Sequence, residues 1–231
     1  MPLTFSYAAA IKHHFTSMVE HHAYPCVGAK AAVAAQSLEI QIYEKPDAAA
    51  ASRLIDDLGH FERRRGVQHD AIYASFVAVF TDWPPQNESV FQDGLFAFLQ
   101  LVHDEDFRRG APWDPLASPD PSNNHFGFSI NSRAYFLVGL HSTSSRQARR
   151  FQAPALVFNS HFQFAQLRRT GLFEKLKLQI RERDRALQGS YNPEMVGSKE
   201  VSEARQYSGR RNEENWSCPL NIQYSDGKAN P

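Results

Sequence analysis

The stretch GLHSTSSRQARRFQAPALVFNSHFQ, residues 139–163, decides the fold: one strand runs into a polar, basic connection and a second strand leaves it. Residues 135–140 (YFLVGL) have the aromatic and β-branched content of a buried strand, and residues 155–158 (ALVF) read the same way. Each is followed by a histidine, His141 directly and His161 three residues on. Arg146, Arg149 and Arg150 lie on the connection, which reads as a helical turn capped by Ser144 or Ser145. Guanidinium groups pair bidentately with carboxylate or phosphate, so this loop offers cationic forks to an anion; the alternative is three arginines on a solvated face.

Working outward, residues 125–130 (HFGFSI) and the first strand are separated only by Asn131-Ser132-Arg133, which predicts an antiparallel hairpin. A purely parallel sheet is thereby excluded. Alternating residues 38–43 (LEIQIY) predict a half-buried strand, and residues 72–80 (IYASFVAVF) a buried one. Between them Asp47 caps a helix with Leu54, Ile55, Leu58 and Phe61 on one face, and residues 89–103 restore a helical period. Residues 104–124 carry Pro112, Pro115, Pro119 and Pro121 and read as a long irregular connection, a lid or a mobile loop. Residues 3–20 predict an amphipathic opening helix, with His13, His14, His21 and His22 on or after it; adjacent histidines point to different faces and read as solvated. Downstream, residues 164–169 and 172–187 predict two helices broken at Gly171, and the polar tail is expected to pack back as far as Leu220. The expected fold is a single α+β (mixed α/β) domain over residues 1–231, with a mixed sheet, helices packed on it and residues 221–231 loose.

Composition narrows the partners. Lys plus Arg and Asp plus Glu both number 25, so no global charge favours nucleic acid or an anionic membrane. No run approaches a membrane span and the N-terminal residues lack a leader pattern, so a cytoplasmic protein is the expectation. Cys26 and Cys218 are expected as free thiols in a reducing compartment. Pro25 and the alanine-rich VGAKAAVAAQ start a helix with Cys26 in its first turn, where unpaired amides would depress the thiol pKa; Cys26 is a candidate nucleophile or soft-metal ligand, or a small buried hydrophobe.

The motifs YPCVGAK (24–30), GLHSTSSRQARRF (139–151), LVFNSHFQF (156–164), IRERDRALQGSYNP (180–193), SEARQYSGR (202–210) and WSCPL (216–220) resemble the YqcI/YcgG family. Ser142 stands where the family usually has proline, Lys30 where it has arginine and Leu220 where it has phenylalanine. The resemblance implies haem b, with O2 as co-substrate, and N-hydroxylation of a guanidine such as that of free L-arginine. It offers Cys26, His141 and His161 as alternative axial ligands, and thiolate ligation favours O–O cleavage. Arg146, Arg149, Arg150 and Lys30 would pair with the propionates, Lys30 without a bidentate fork. A guanidine substrate would need a buried carboxylate, Glu203 first and Asp184 second. Glu203 with Arg205, or Asp184 with Arg181, could instead be internal ion pairs. Tyr207 and Asn159 are candidates to hydrogen-bond substrate or bound oxygen. No flavin or nicotinamide fingerprint occurs, so electrons would come from an external donor. A non-catalytic haem sensor or carrier, and a phosphate-binding protein built on the arginine loop, are the competing expectations.

Overall fold

The computed structural model describes residues 5–66, 73–195 and 201–224. Its elements run α1 (Phe5–Glu20), α2 (Val27–Ala34), β1 (Leu38–Tyr43), α3 (Ala48–Gly66), β2 (Ser75–Phe80), α4 (Glu88–Arg108), β3 (Phe128–Ile130), β4 (Arg133–Leu140), β5 (Ala155–Ser160), α5 (His161–Arg169) and α6 (Leu172–Gln188). The strands form one sheet in the order β1-β2-β5-β4-β3. Only β1 and β2 are parallel; β2 with β5, β5 with β4 and β4 with β3 are antiparallel. The α+β class, the mixed sheet and the hairpin are as the sequence predicts.

Period-2 alternation divides the sheet between two layers. Phe76, Ala78 and Phe80 of β2, with Leu156 and Phe158 of β5, face α3 and α4, where Leu54, Leu58, Leu95 and Leu99 are fully buried. Val77 and Val79 face the other way, onto Ile11, Phe15 and Val19 of α1. On this second face the helical cover changes hands. α1 and α2 shield the β1–β2 end, and α5 and α6 stand over the β4–β5 end.

Several boundaries move for local reasons. α4 starts one residue before the predicted helix, with Asn87 accepting from the Val90 amide at 2.9 Å, and runs five residues past it, to Arg108. The first residues of the expected 104–124 loop are therefore helical. The rest is anchored to the hairpin at Asp114, which accepts from the Ala134 amide at 2.7 Å and donates its own to Ser129 Oγ at 3.0 Å, and its last residue, Asn124, lines the cavity described below. β2 begins at Ser75, and residue 72 lies outside the described residues. β5 continues to Ser160, so His161 opens α5 directly. The basic connection makes one 3-10 turn, Gln147–Arg149, capped by neither serine; Ser144 Oγ accepts from the Arg146 amide and Ser145 binds Glu88.

The tail packs as expected. Ala204 and Tyr207 are fully buried and Leu220 is buried. The Gly139 amide donates to the Tyr207 carbonyl at 2.6 Å, stitching the tail onto β4. That approach needs glycine, because a Cβ at 139 would lie 2.9 Å from the same carbonyl oxygen. Residues 221–224, expected to be loose, are held too: the Asn221 amide binds Gln100 and the Gln223 amide binds His103. Residues 225–231 lie outside the described residues. His13, His14, His21 and His22 are exposed, as read.

Candidate functional site

Beneath α5 and α6 lies a cavity of about 500 Å³, inside the range of small-molecule and cofactor sites. The sheet supplies its floor, where the register pairs Val138 with Val157 and Phe136 with Asn159. Leu167 of α5 and Phe173, Leu176 and Ile180 of α6 form the apolar roof, and Phe15 and Val19 of α1 close one side. Into this enclosure come Cys26, Arg146, Arg149, Asn159, His161, Asp184 and Glu203. The fold thus gathers seven of the residues singled out from sequence, although they span positions 26 to 203.

At one end, Ser202 caps a 3-10 turn, Glu203–Gln206, that delivers Glu203 to the cavity. Its carboxylate accepts from the Tyr207 phenol at 2.6 Å, and His161 Nε2 lies 3.0 Å from both of its oxygens. Tyr207 is fully buried behind Glu203, and burial beside that carboxylate raises its pKa well above the ordinary phenol value. It therefore holds Glu203 rather than touching a ligand, a correction to its expected role. The His161 ring packs closely on Gly127: a Cβ there would sit 2.4 Å from its Cε1. The internal pairs expected for Glu203 and Asp184 do not form. Arg205 instead faces Glu194 at 3.6 Å, and Asp184 pairs with Arg146.

At the other end, Cys26 is the N-cap of α2 and its Sγ accepts from the Ala29 amide at 3.4 Å. Burial nevertheless raises the thiol pKa, outweighing the amides of Ala29 and Gly28 and the nearby Arg149. The expected depression is overturned. A helix N-terminus helps a thiolate, but a dry apolar setting costs the lone anion more. Tyr24 stands beside Cys26, and burial raises its phenol likewise.

The three arginines do not act as one fork. Arg146 is buried and spends its Nη atoms on Asp184 and on Ser190, whose carbonyl and Oγ accept at 3.1 and 3.2 Å. Arg149 donates to the carbonyls of Gly139, Tyr207 and Gln206 at 3.0–3.2 Å, and burial lowers its pKa to about 10. Arg150 is exposed and donates to the Ser144 carbonyl. Of the three, Arg146 and Arg149 line the cavity and Arg150 does not. Lys30 caps the end of α1 through the Glu20 and His21 carbonyls instead. His141, expected as a ligand candidate, is fully buried outside the lining, stacked on Phe91 at 4.1 Å. Its Nδ1 meets Thr143 Oγ1 at 2.9 Å, its Nε2 has no protein partner, and burial lowers its pKa to about 4. Asn159 accepts from Ser75 Oγ at 2.7 Å and donates to the Phe136 carbonyl, leaving one amide hydrogen to offer.

Sequence reasoning missed Tyr24, Arg168 and Lys177 among the lining residues. Tyr24 belonged to the YPCVGAK motif, whereas Arg168 and Lys177 lie on helices whose sequence gives no signal for a site. Among the described residues no three His, Cys, Asp or Glu side chains gather as a metal-binding group. Among them, too, no helix is long and apolar enough to cross a membrane.

Fold and site together define an α+β protein whose sheet and helical roof enclose an apolar cavity containing a thiol, a carboxylate–imidazole pair and buried guanidinium groups. The chain belongs to the YqcI/YcgG family, whose profile matches residues 15–221. Comparison with curated proteins and with solved structures returns no match.

Proposed function

We propose that the cavity takes haem b and that the chain is a haem-dependent monooxygenase acting on the guanidine of a small molecule such as free L-arginine. The observation that carries this reading is the presence of Cys26 and the Tyr207-anchored Glu203 in one apolar enclosure. The residues suit the group. The walls are apolar, the cavity volume falls in the cofactor range, and Arg149, Arg168 and Lys177 line it as cations for the propionates.

Among the three ligand candidates, Cys26 is the best supported. Its sulfur accepts from a backbone amide, an arrangement that steadies a thiolate once iron has displaced the proton. The Nε2 of His161 is committed to Glu203, and His141 lies outside the lining. When bound, haem supplies O2 activation, which thiolate ligation promotes. The reaction balances as guanidine N–H, one O2, two electrons and two protons giving N–OH and one water. The chain's own part is to hold the substrate. A buried guanidinium requires a paired carboxylate, and Glu203 has lone pairs beyond those used by Tyr207 and His161.

The test is the spectrum of purified protein reconstituted with haem, reduced and exposed to CO. A band at about 450 nm that is lost in Cys26→Ser, together with O2-dependent addition of one oxygen to L-arginine, is expected. A band at about 420 nm refutes Cys26 ligation. Absence of stoichiometric haem refutes the reading outright, and haem uptake without turnover of any guanidine leaves a sensor or carrier.

A further inference from the structure

An oxygenase without a flavin or nicotinamide fingerprint draws its electrons from another molecule. Residues 161–188 carry seven Arg and Lys against three Asp and Glu, in a chain whose formal net charge is +0. One of those acids, Asp184, is buried against Arg146 and contributes nothing to the surface. α5 and α6, which make up this segment, are also the cavity roof. Their inner side presents Leu167, Phe173, Leu176 and Ile180 to the cavity. Arg168, Arg169, Lys175 and Arg185 are exposed, with the apolar Leu172 and Leu178 among them, the latter 59 % exposed. The exposed acids of the hairpin are Glu174 and Glu182, and Glu182 lies 3.7 Å from Arg185.

Resting on the haem-oxygenase reading, we propose that this outer face docks a small acidic one-electron carrier of the iron–sulfur ferredoxin class. Complementary charge steers such encounters and sets their orientation. Leu172 and Leu178 give the contact an apolar centre within a charged rim. The cavity lies behind this single helical layer, about 10 Å thick, which keeps the path of an electron entering here short. Two reduced carriers each give one electron, and these are the two that the hydroxylation consumes. An anionic membrane is the poorer occupant, because α6 has already turned its apolar side into the roof.

The test uses the full chain, both haem-free and haem-loaded, with an acidic [2Fe–2S] ferredoxin as probe. The wild type is expected to bind it in both forms at low ionic strength and to release it as salt rises. The exposed double variant R169E/K175E should bind about tenfold more weakly, and ferredoxin-driven reduction of the loaded protein should slow with it. Reduction by dithionite should be unchanged, and the distant charge reversal K45E should bind as the wild type does. Equal binding by the double variant and the wild type, no binding by the wild type, or binding only to phosphatidylserine vesicles overturns the proposal. Docking through Arg169 and Lys175 by a chain that takes up no haem keeps this face and sinks the oxygenase reading.

Discussion

Gly127→Ala adds one methyl group against the imidazole that holds Glu203. The new Cβ would lie 2.4 Å from His161 Cε1, 2.9 Å from Nδ1 and 3.1 Å from the Ala134 Cβ. Carbon atoms in contact prefer roughly 3.5–4.0 Å, so the ring must retreat by about 1 Å. His161 Nε2 sits 3.0 Å from each Glu203 oxygen, and a displacement of that size takes it out of hydrogen-bonding range. Loss of a hydrogen bond to a charged group costs about 1.5–3 kcal/mol, and overpacking costs a similar amount if the ring stays put. The two routes are alternatives, so about 2 kcal/mol is expected, or a fall of about 4–8 °C in Tm for a domain of this size. Thermal denaturation measures the total, and the His161 ring resonances report whether the imidazole has moved. A double-mutant cycle isolates the cause: in a His161→Ala background only the 3.1 Å approach to the Ala134 Cβ remains, and the methyl group should cost about 1 kcal/mol less than it does beside the imidazole. A wild-type Tm for Gly127→Ala, or the same cost with and without the imidazole, refutes this account of His161 positioning.

Two further outcomes follow from buried charge. Asp184→Asn leaves Arg146, buried with only neutral Ser190 partners, without its counter-ion, and should lower stability by about 3–5 kcal/mol in urea denaturation; an effect below about 1 kcal/mol would mean the pair is not a structural element. His141 has a folded pKa of about 4, below the ordinary histidine value, so the native state binds fewer protons than the unfolded state. Its contribution to stability is therefore full above about pH 6.5 and lost progressively as pH falls towards 4. Asp106, raised by burial to about 6, acts in the opposite sense over part of that window. The readout is consequently the difference between wild type and His141→Phe, which should narrow as the pH falls; a difference independent of pH would show that His141 does not stay neutral in the fold.

The strands were legible because alternation and β-branched content state which residues face inward, and that holds wherever the chain lies. Residues 38–43 and 155–158 emerge as strands, the turn at Asn131-Ser132 closes the hairpin, and Gly171 separates α5 from α6 with a φ of 70°. Helix ends were less legible. α4 outran its pattern because Asp106, a polar residue that looks exposed in the sequence, is buried to accept the Asn131 amide.

The candidate site shows the division most clearly. Residue chemistry singled out Cys26, His161, Arg146 and Arg149, and the family resemblance added Glu203, all of which line the cavity, because the types able to ligate, pair or neutralise are few and their presence needs no coordinates. Which of them meet was a matter of tertiary structure. Arg146 reads as an anion fork until helix α6 brings Asp184 to it, and Tyr207 reads as a substrate contact until the tail's return to Gly139 buries it behind Glu203. Partners separated by 38 or 42 residues leave no local periodic trace. The thiol of Cys26 makes the same point for energetics: its helix-cap position, written in the sequence, favours the anion, while the burial that raises its pKa comes from the packing of elements far along the chain. Local covalent order fixes what each side chain is able to do, and long-range packing fixes its solvent and its partner, which select among those possibilities.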